Sequence, residues 1–197
     1  DSITKDWVMI FDRWGLPRDT GASDLQDSAR SAGLCVLFGL HPEIDLSYYT
    51  ASGKYWRHPM EVKYTMSRDQ TICLFAGMWA QKKFNLVNPG YNTEGDLVSP
   101  AVRGHFRRCA RLDSNWFQDA WLMADVYNHA WFTPTGESNQ LISMLMVADP
   151  KFLRTWCKLN KHWRTSIQIY WYMGEGAWRG ERELGEKMIK VIEEKIK

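Results

Sequence analysis

The sequence predicts a mainly α-helical protein, a single globular bundle of about seven or eight helices with one short β-hairpin near residues 46–58. Three observations predict it. Apolar residues recur at i, i+3, i+4 and i+7 through much of the chain, the period of a helix buried along one side. These stretches open on Ser, Asn or Asp and close on Gly or Pro, which is helix start and stop chemistry. The composition, 197 residues with 45% apolar and 24% charged side chains, suits one domain burying roughly 70% of its unfolded surface. No composition break divides the chain, so residues 1–197 are expected to form one domain.

Residues 1–22 mix Trp7, Val8, Ile10, Phe11 and Trp14 with Gly15, Pro17 and Gly21. That mixture predicts a short helical turn, then an irregular N-terminal arm packed on the body. Ser23 opens the first clear helix, with Gln26 completing a capping box and Asp24 facing the positive end of the dipole. Leu25, Ala29, Ala32, Val36, Leu37 and Leu40 follow at helical spacing, and His41–Pro42 stops the run. In residues 46–58, aromatic and β-branched side chains flank the turn pair Ser52–Gly53, which predicts the hairpin. Ser67 and Gln70 open a second capped helix carrying Ile72, Cys73, Phe75, Ala76 and Trp79.

Residues 85–98 are a loop rich in Pro, Gly and Asn. Ser99–Pro100 starts a third helix, and Asn115 a fourth that runs through Trp131. Ser138–Val147 is a short fifth helix, Asp149–Pro150 caps a sixth, and residues 161–173 form an aromatic seventh ending at Gly174. The tail, Glu181–Ile196, is amphipathic, with Leu184, Met188, Val191 and Ile192 on one side. Glu183/Lys187 and Glu186/Lys190 are placed to pair across its outer face.

Charge and cysteine usage narrow the function classes. The net charge of +2 is too small for a whole-molecule field to select a partner. Residues 99–174, however, carry 9 Lys/Arg against 5 Asp/Glu, so the middle of the chain is basic. Cys35, Cys73, Cys109 and Cys157 stand far apart, with no C-x-x-C spacing for zinc or thioredoxin-like chemistry, and each is expected as a buried thiol. No apolar run approaches the ~20 residues needed to span a bilayer. No signal-peptide pattern is present, and nothing selects a compartment. Phosphate-loop, dinucleotide, zincin and α/β-hydrolase motifs are missing, and no cofactor or metal is expected. Asp125 and His129 are four apart but lack a third ligand at a metal spacing.

The candidate site lies where the two Ser-x-x-Gln helices begin. One brings Asp27 and Arg30, the other Arg68 and Asp69, and the hairpin between them brings Tyr48, Tyr55, Trp56 and His58. If both helices present their leading ends to one side, carboxylates, guanidinia and rings converge. A carboxylate pair flanked by aromatic platforms is what glycoside hydrolysis requires, one acid protonating the leaving oxygen while the other activates water or attacks the sugar. Asp27 and Asp69 are the acid/base pair in that reading. His58 is a third catalytic candidate, since its charge changes near neutrality. Arg30 and His58 orient the carboxylates, Tyr48, Tyr55 and Trp56 stack on the sugar, and Arg68 joins them in binding substrate. Against it stands the ordinary use of acids in a first helical turn, where they complement the dipole.

The helix-rich texture, polar helix starts and 11 Trp resemble the helical carbohydrate-active enzymes, the (α/α)-toroid glycosidases and lyases. The resemblance carries no family motif, and a complete toroid has more helices than are counted here, so it implies a reduced form. Gly136-Glu137-Ser138 resembles the Glu-Ser pair of lysozyme-like transglycosylases, but there the Glu ends its helix and here it begins one. The expected function is a glycan hydrolase or lyase. The alternative is a non-enzymatic structural or interaction module of a viral or multi-subunit assembly, with aromatics anchoring a protein partner. Nucleic acid is a rival partner through the basic stripe Arg103, Arg107 and Arg111 and through Lys151, Arg154, Lys158, Lys161 and Arg164 with Trp156 and Trp163. The near-neutral total argues against it.

Overall fold

The computed structural model describes residues 9–18, 25, 27–51, 54–61, 68–81, 136–147, 150–178 and 180–197; at 51, 54, 68, 69, 136–138 and 178 it describes the backbone alone. The fold is mainly helical. The third and fourth helices, their basic stripe at Arg103, Arg107 and Arg111, Asp125 with His129, and the Ser23 and Ser67 caps lie outside the described residues.

The N-terminal segment differs from expectation. It forms a two-stranded ribbon, β1 (Ile10–Phe11) pairing antiparallel with β2 (Pro17–Arg18). The cause is local. Asp12 Oδ1 accepts from the N–H groups of Trp14 at 2.9 Å and Leu16 at 3.1 Å, a side-chain turn that competes with helix. Gly15, at φ +71°, then turns the chain back where other residues are strained.

Helix α1 (Ser28–Leu37) is buried at every position from Ser28 to Val36, so it is a central helix with no solvent side. It stops before the expected His41–Pro42. Gly39 at φ +72° lets the Leu40 N–H reach Cys35 O at 2.9 Å while its own N–H reaches Val36 O at 3.1 Å. That is a Schellman closure, which satisfies the last carbonyls two residues earlier than proline does. A 3₁₀ turn follows at Leu46–Tyr49, inside the span predicted as hairpin, because Asp45 caps it by accepting from Ser47 N at 3.0 Å. The hairpin proper is β3 (Thr50–Ala51) with β4 (Lys54–Tyr55).

Helix α2 (Arg68–Ala80) is buried from Gln70 to Met78 and lies against α1 along its length. Two glycines set the distance. A Cβ on Gly33 would land on the backbone carbonyl of Cys73, and one on Gly77 would stand 2.8 Å from the Gly33 Cα. The contacts advance together along both helices: Asp27 meets Gln70, Gly33 meets Cys73 and Gly77, and Gln81 reaches Pro42 and Ile44. The pair is therefore parallel, with both leading ends on one side.

The C-terminal part wraps this pair. Helix α3 (Gly136–Val147) packs on α2. Helix α4 (Pro150–Leu159) buries Phe152, Leu153, Trp156 and Cys157 and exposes its basic side. Helix α5 (Trp163–Gln168) runs directly into a π-helical turn at Ile169–Met173, then α6 (Glu175–Trp178) and α7 (Arg182–Ile196) follow. Leu184, Met188 and Ile192 supply the buried line of α7. Its outer Glu186 pairs backwards with Arg182 at 3.2 Å, whereas Lys190 was the predicted partner. Trp171, fully buried in the π turn, fits against Gly176 and Gly185, where any side chain would strike the ring.

Candidate functional site

The leading ends of α1 and α2 meet, and a single side chain joins them. Gln70, fully buried at the third position of α2, donates from Nε2 to Asp27 Oδ1 at 2.6 Å. Its Oε1 accepts the backbone N–H of Arg30 at 2.8 Å. Both halves of the amide are thus spent on the first turn of α1. The hairpin closes the same end: Ala29 N donates to Arg57 O at 3.0 Å, and the hydroxyls of Ser28 and Tyr49 are 2.7 Å apart. Burial pushes the Tyr49 phenol well above its ordinary pKa, with the Ser28 hydrogen bond opposing it, so the ring stays neutral.

Arg30 is the centre of the site. It is only 1% exposed, and a buried cation of this kind needs partners. Nη1 donates to Tyr170 Oη at 2.8 Å and stands 3.7 Å from Asp27 Oδ1 and 3.9 Å from Glu175 Oε2. Nη2 stands 3.7 Å from Glu181 Oε2, while Glu181 Oε1 accepts from Ser31 Oγ. Tyr170 relays onward by donating to Glu175 Oε2 at 3.1 Å. The side chains grade outward: Glu181 is 3% exposed, Asp27 14% and Glu175 64%. Asp27 Oδ1 and Glu175 Oε2 thus both approach the same Arg30 Nη1.

The other predicted site residues separate into two groups. Tyr55 is 1% exposed, its ring edge-on to Phe75 at 5.2 Å in the core. His58 is buried as well. Its Nδ1 accepts from Met60 N at 3.1 Å, which leaves the proton on Nε2 to bind Asp12, and Trp14 stands edge-on to the ring at 5.6 Å. Both ring nitrogens are therefore committed to the fold. Trp56 is half-buried, next to the Arg57 carbonyl that holds α1, and Tyr48 is 41% exposed. Arg68 and Asp69 occupy the first turn of α2, immediately before Gln70, with their side chains outside the described set.

Sequence reasoning found Asp27 and Arg30 but missed Gln70 as the link and Tyr170, Glu175 and Glu181 as partners. The available signal was Glu175 and Glu181 in the glycine-rich stretch 174–181, where a close-packed backbone can bring an acid inward. At the opposite, trailing end of the pair lies a cavity of about 560 Å³ lined by Val36, Pro42, Glu43, Ile44, Asp45, Ala80 and Gln81. Among the described residues no cluster of His, Cys, Asp and Glu is arranged to hold a metal ion, and no helix is long and apolar enough to cross a membrane. Compared with known proteins, the chain matches no family model, no curated protein and no solved structure.

Proposed function

We propose that the chain acts on a glycan at the surface where α1 and α2 begin, with Asp27 and Glu175 as the carboxylate pair. The observation that carries this reading is the convergence of both acids on the Arg30 Nη1, one anchored by Gln70 and the other reaching solvent. Glycosidic cleavage needs two carboxyl groups at fixed separation, one giving a proton to the leaving oxygen and one activating water or attacking the sugar. Arg30 and Tyr170 hold that separation from below. The leading ends of two parallel helices add positive potential on the same side, which favours carboxylates and the charge they carry in the reaction. Of the expected stacking rings, Trp56 is half-buried and Tyr48 exposed. Tyr55 and His58 have no part in the reaction, because both are consumed in the interior.

The test is release of reducing ends from a panel of plant, bacterial and animal polysaccharides. Asp27→Asn and Glu175→Gln are each expected to lower turnover by roughly 10²–10⁴-fold, the span of a lost acid or base. Asp69→Asn is the comparison. Loss in that variant with full activity in Glu175→Gln would return the second acid to Asp69, and unchanged turnover in both Asp27→Asn and Glu175→Gln would sink the carboxylate pair.

A second reading, a non-enzymatic interaction module, is favoured by one specific observation: Arg30, Tyr55 and His58 are all interior, as structural residues are. Under it the exposed apolar residues, Met60 at 62% and Met173 at 74% among them, are anchors for a protein partner. A wild-type chain silent on every polysaccharide, yet recovered as a stable complex, decides for this reading.

A further inference from the structure

The basic segment from Lys151 to Arg164 resolves into an outward-facing stripe. Lys151, Arg154 and Lys158 stand at i, i+3 and i+7 of α4, on its exposed side and about 10 Å apart end to end. Lys161 lies in the turn that follows and Arg164 is the second residue of α5; both are exposed. Residues 150–174 contain no Asp or Glu. The neighbouring helix neutralises the Arg164 end of the row. On α7, Glu193 takes Arg164 at 2.6 Å, Glu186 takes Arg182 and Glu194 takes Lys197. Among the described residues Arg154, Lys158 and Lys161 have no carboxylate partner. Self-repulsion among Arg154, Lys158 and Lys161 costs free energy unless something anionic lies over them.

The rings once expected between these cations are underneath them. Trp156 is 1% exposed and Trp163 2%, tilted against each other with centroids 6.4 Å apart. No aromatic platform is left for bases, so the stripe offers charge in a line without stacking, which is poor equipment for single-stranded nucleic acid. A flat membrane calls for a broad basic and apolar face, and Leu159 is the one large apolar side chain exposed on α4.

We infer that this row binds a linear acidic polysaccharide, its carboxylate groups meeting Arg154, Lys158 and Lys161. The choice of polymer rests on the glycan reading above; the row itself does not. The measurement is equilibrium binding of fluorescent polygalacturonate to the full chain across a salt series, with neutral dextran, a DNA duplex and phosphatidylserine vesicles as alternatives. The wild type is expected to bind polygalacturonate, with affinity falling linearly in log salt, and to ignore dextran. The exposed triple change Arg154→Glu, Lys158→Glu, Lys161→Glu, checked for unchanged melting, is expected to weaken binding at least about tenfold and to flatten the salt slope. Equal binding by the triple variant, or tighter binding of the duplex or the vesicles than of polygalacturonate, overturns the inference. The two proposals fail separately. Lost binding in the triple variant, with Asp27→Asn still fully active, sinks only the acid pair; cleavage of a neutral glycan, with polygalacturonate binding unmoved by the triple change, sinks only the stripe.

Discussion

Arg30 shows how a buried charge is made tolerable, and how much then depends on it. Its guanidinium faces Asp27, Glu175 and Glu181 and a phenol, and it touches the rings of Tyr170 and Trp171 at 5.8 and 5.9 Å. Replacing it with Met leaves the nearly buried Glu181 and Asp27 carboxylates facing an apolar group, and removing one partner of a buried pair costs about 3–5 kcal/mol. Urea unfolding of Arg30→Met is expected to show a loss of that size. Glu175→Gln, with its side chain 64% exposed, is expected to change stability by no more than about 0.5 kcal/mol, so any activity it loses belongs to chemistry. Asp27 and Arg30 were legible because a polar residue in the first turn of an otherwise apolar helix is conspicuous. Their partners were not, since no local pattern announces that Arg30 will meet Tyr170, 140 positions away. The same holds for His58, whose pairing with Asp12 spans 46 positions and turns a candidate base into a structural residue.

Helices were the readable elements. Period and punctuation located α7 and the start of α4 to within a residue, because both are amphipathic and each has one buried line. The misreadings share one cause, a short side chain or glycine acting on the backbone within four residues. Asp12 makes the β1–β2 turn, Asp45 the 3₁₀ turn, and Gly39 the early end of α1. The parallel packing of α1 on α2 was invisible for a different reason: Gly33 and Gly77 carry no hydrophobic signal, yet they decide how near the two backbones come. Gly33→Ala is expected to cost at least the ~3 kcal/mol upper end of ordinary overpacking, since its new methyl meets backbone carbonyl that cannot rotate away. Gly39→Ala has open space around it and only its positive φ to resist, so about 1–2 kcal/mol is expected. Thermal melts of the two variants side by side check the contrast.

At the scale of the molecule the protons of the core set an alkaline limit. Burial pushes the Cys157 thiol up to about 12 from an ordinary 9.0 and raises those of Cys35 and Tyr49 as well. These groups bind their protons more tightly folded than unfolded, so the stability they contribute is fully present below the unfolded thiol value and drains away as pH rises through the folded ones. Urea midpoints are expected to show no pH dependence from these groups below pH 9.0 and to fall steeply from there to about 12. A midpoint that holds level across that window counts against the buried thiols and phenol.

The Ser31–Glu181 hydrogen bond also fixes an order of events during synthesis. Its two halves lie 150 positions apart, so a ribosome adding roughly 5–20 residues per second makes the Arg30 guanidinium wait about 8–30 s for its deepest carboxylate. Throughout that interval the start of α1 is a charged, incompletely covered surface on a nascent polypeptide. Only when translation has passed the π turn and reached Glu181 can the helix pair be sealed, which makes the synthesis of that stretch the step that commits the earlier part to its final state.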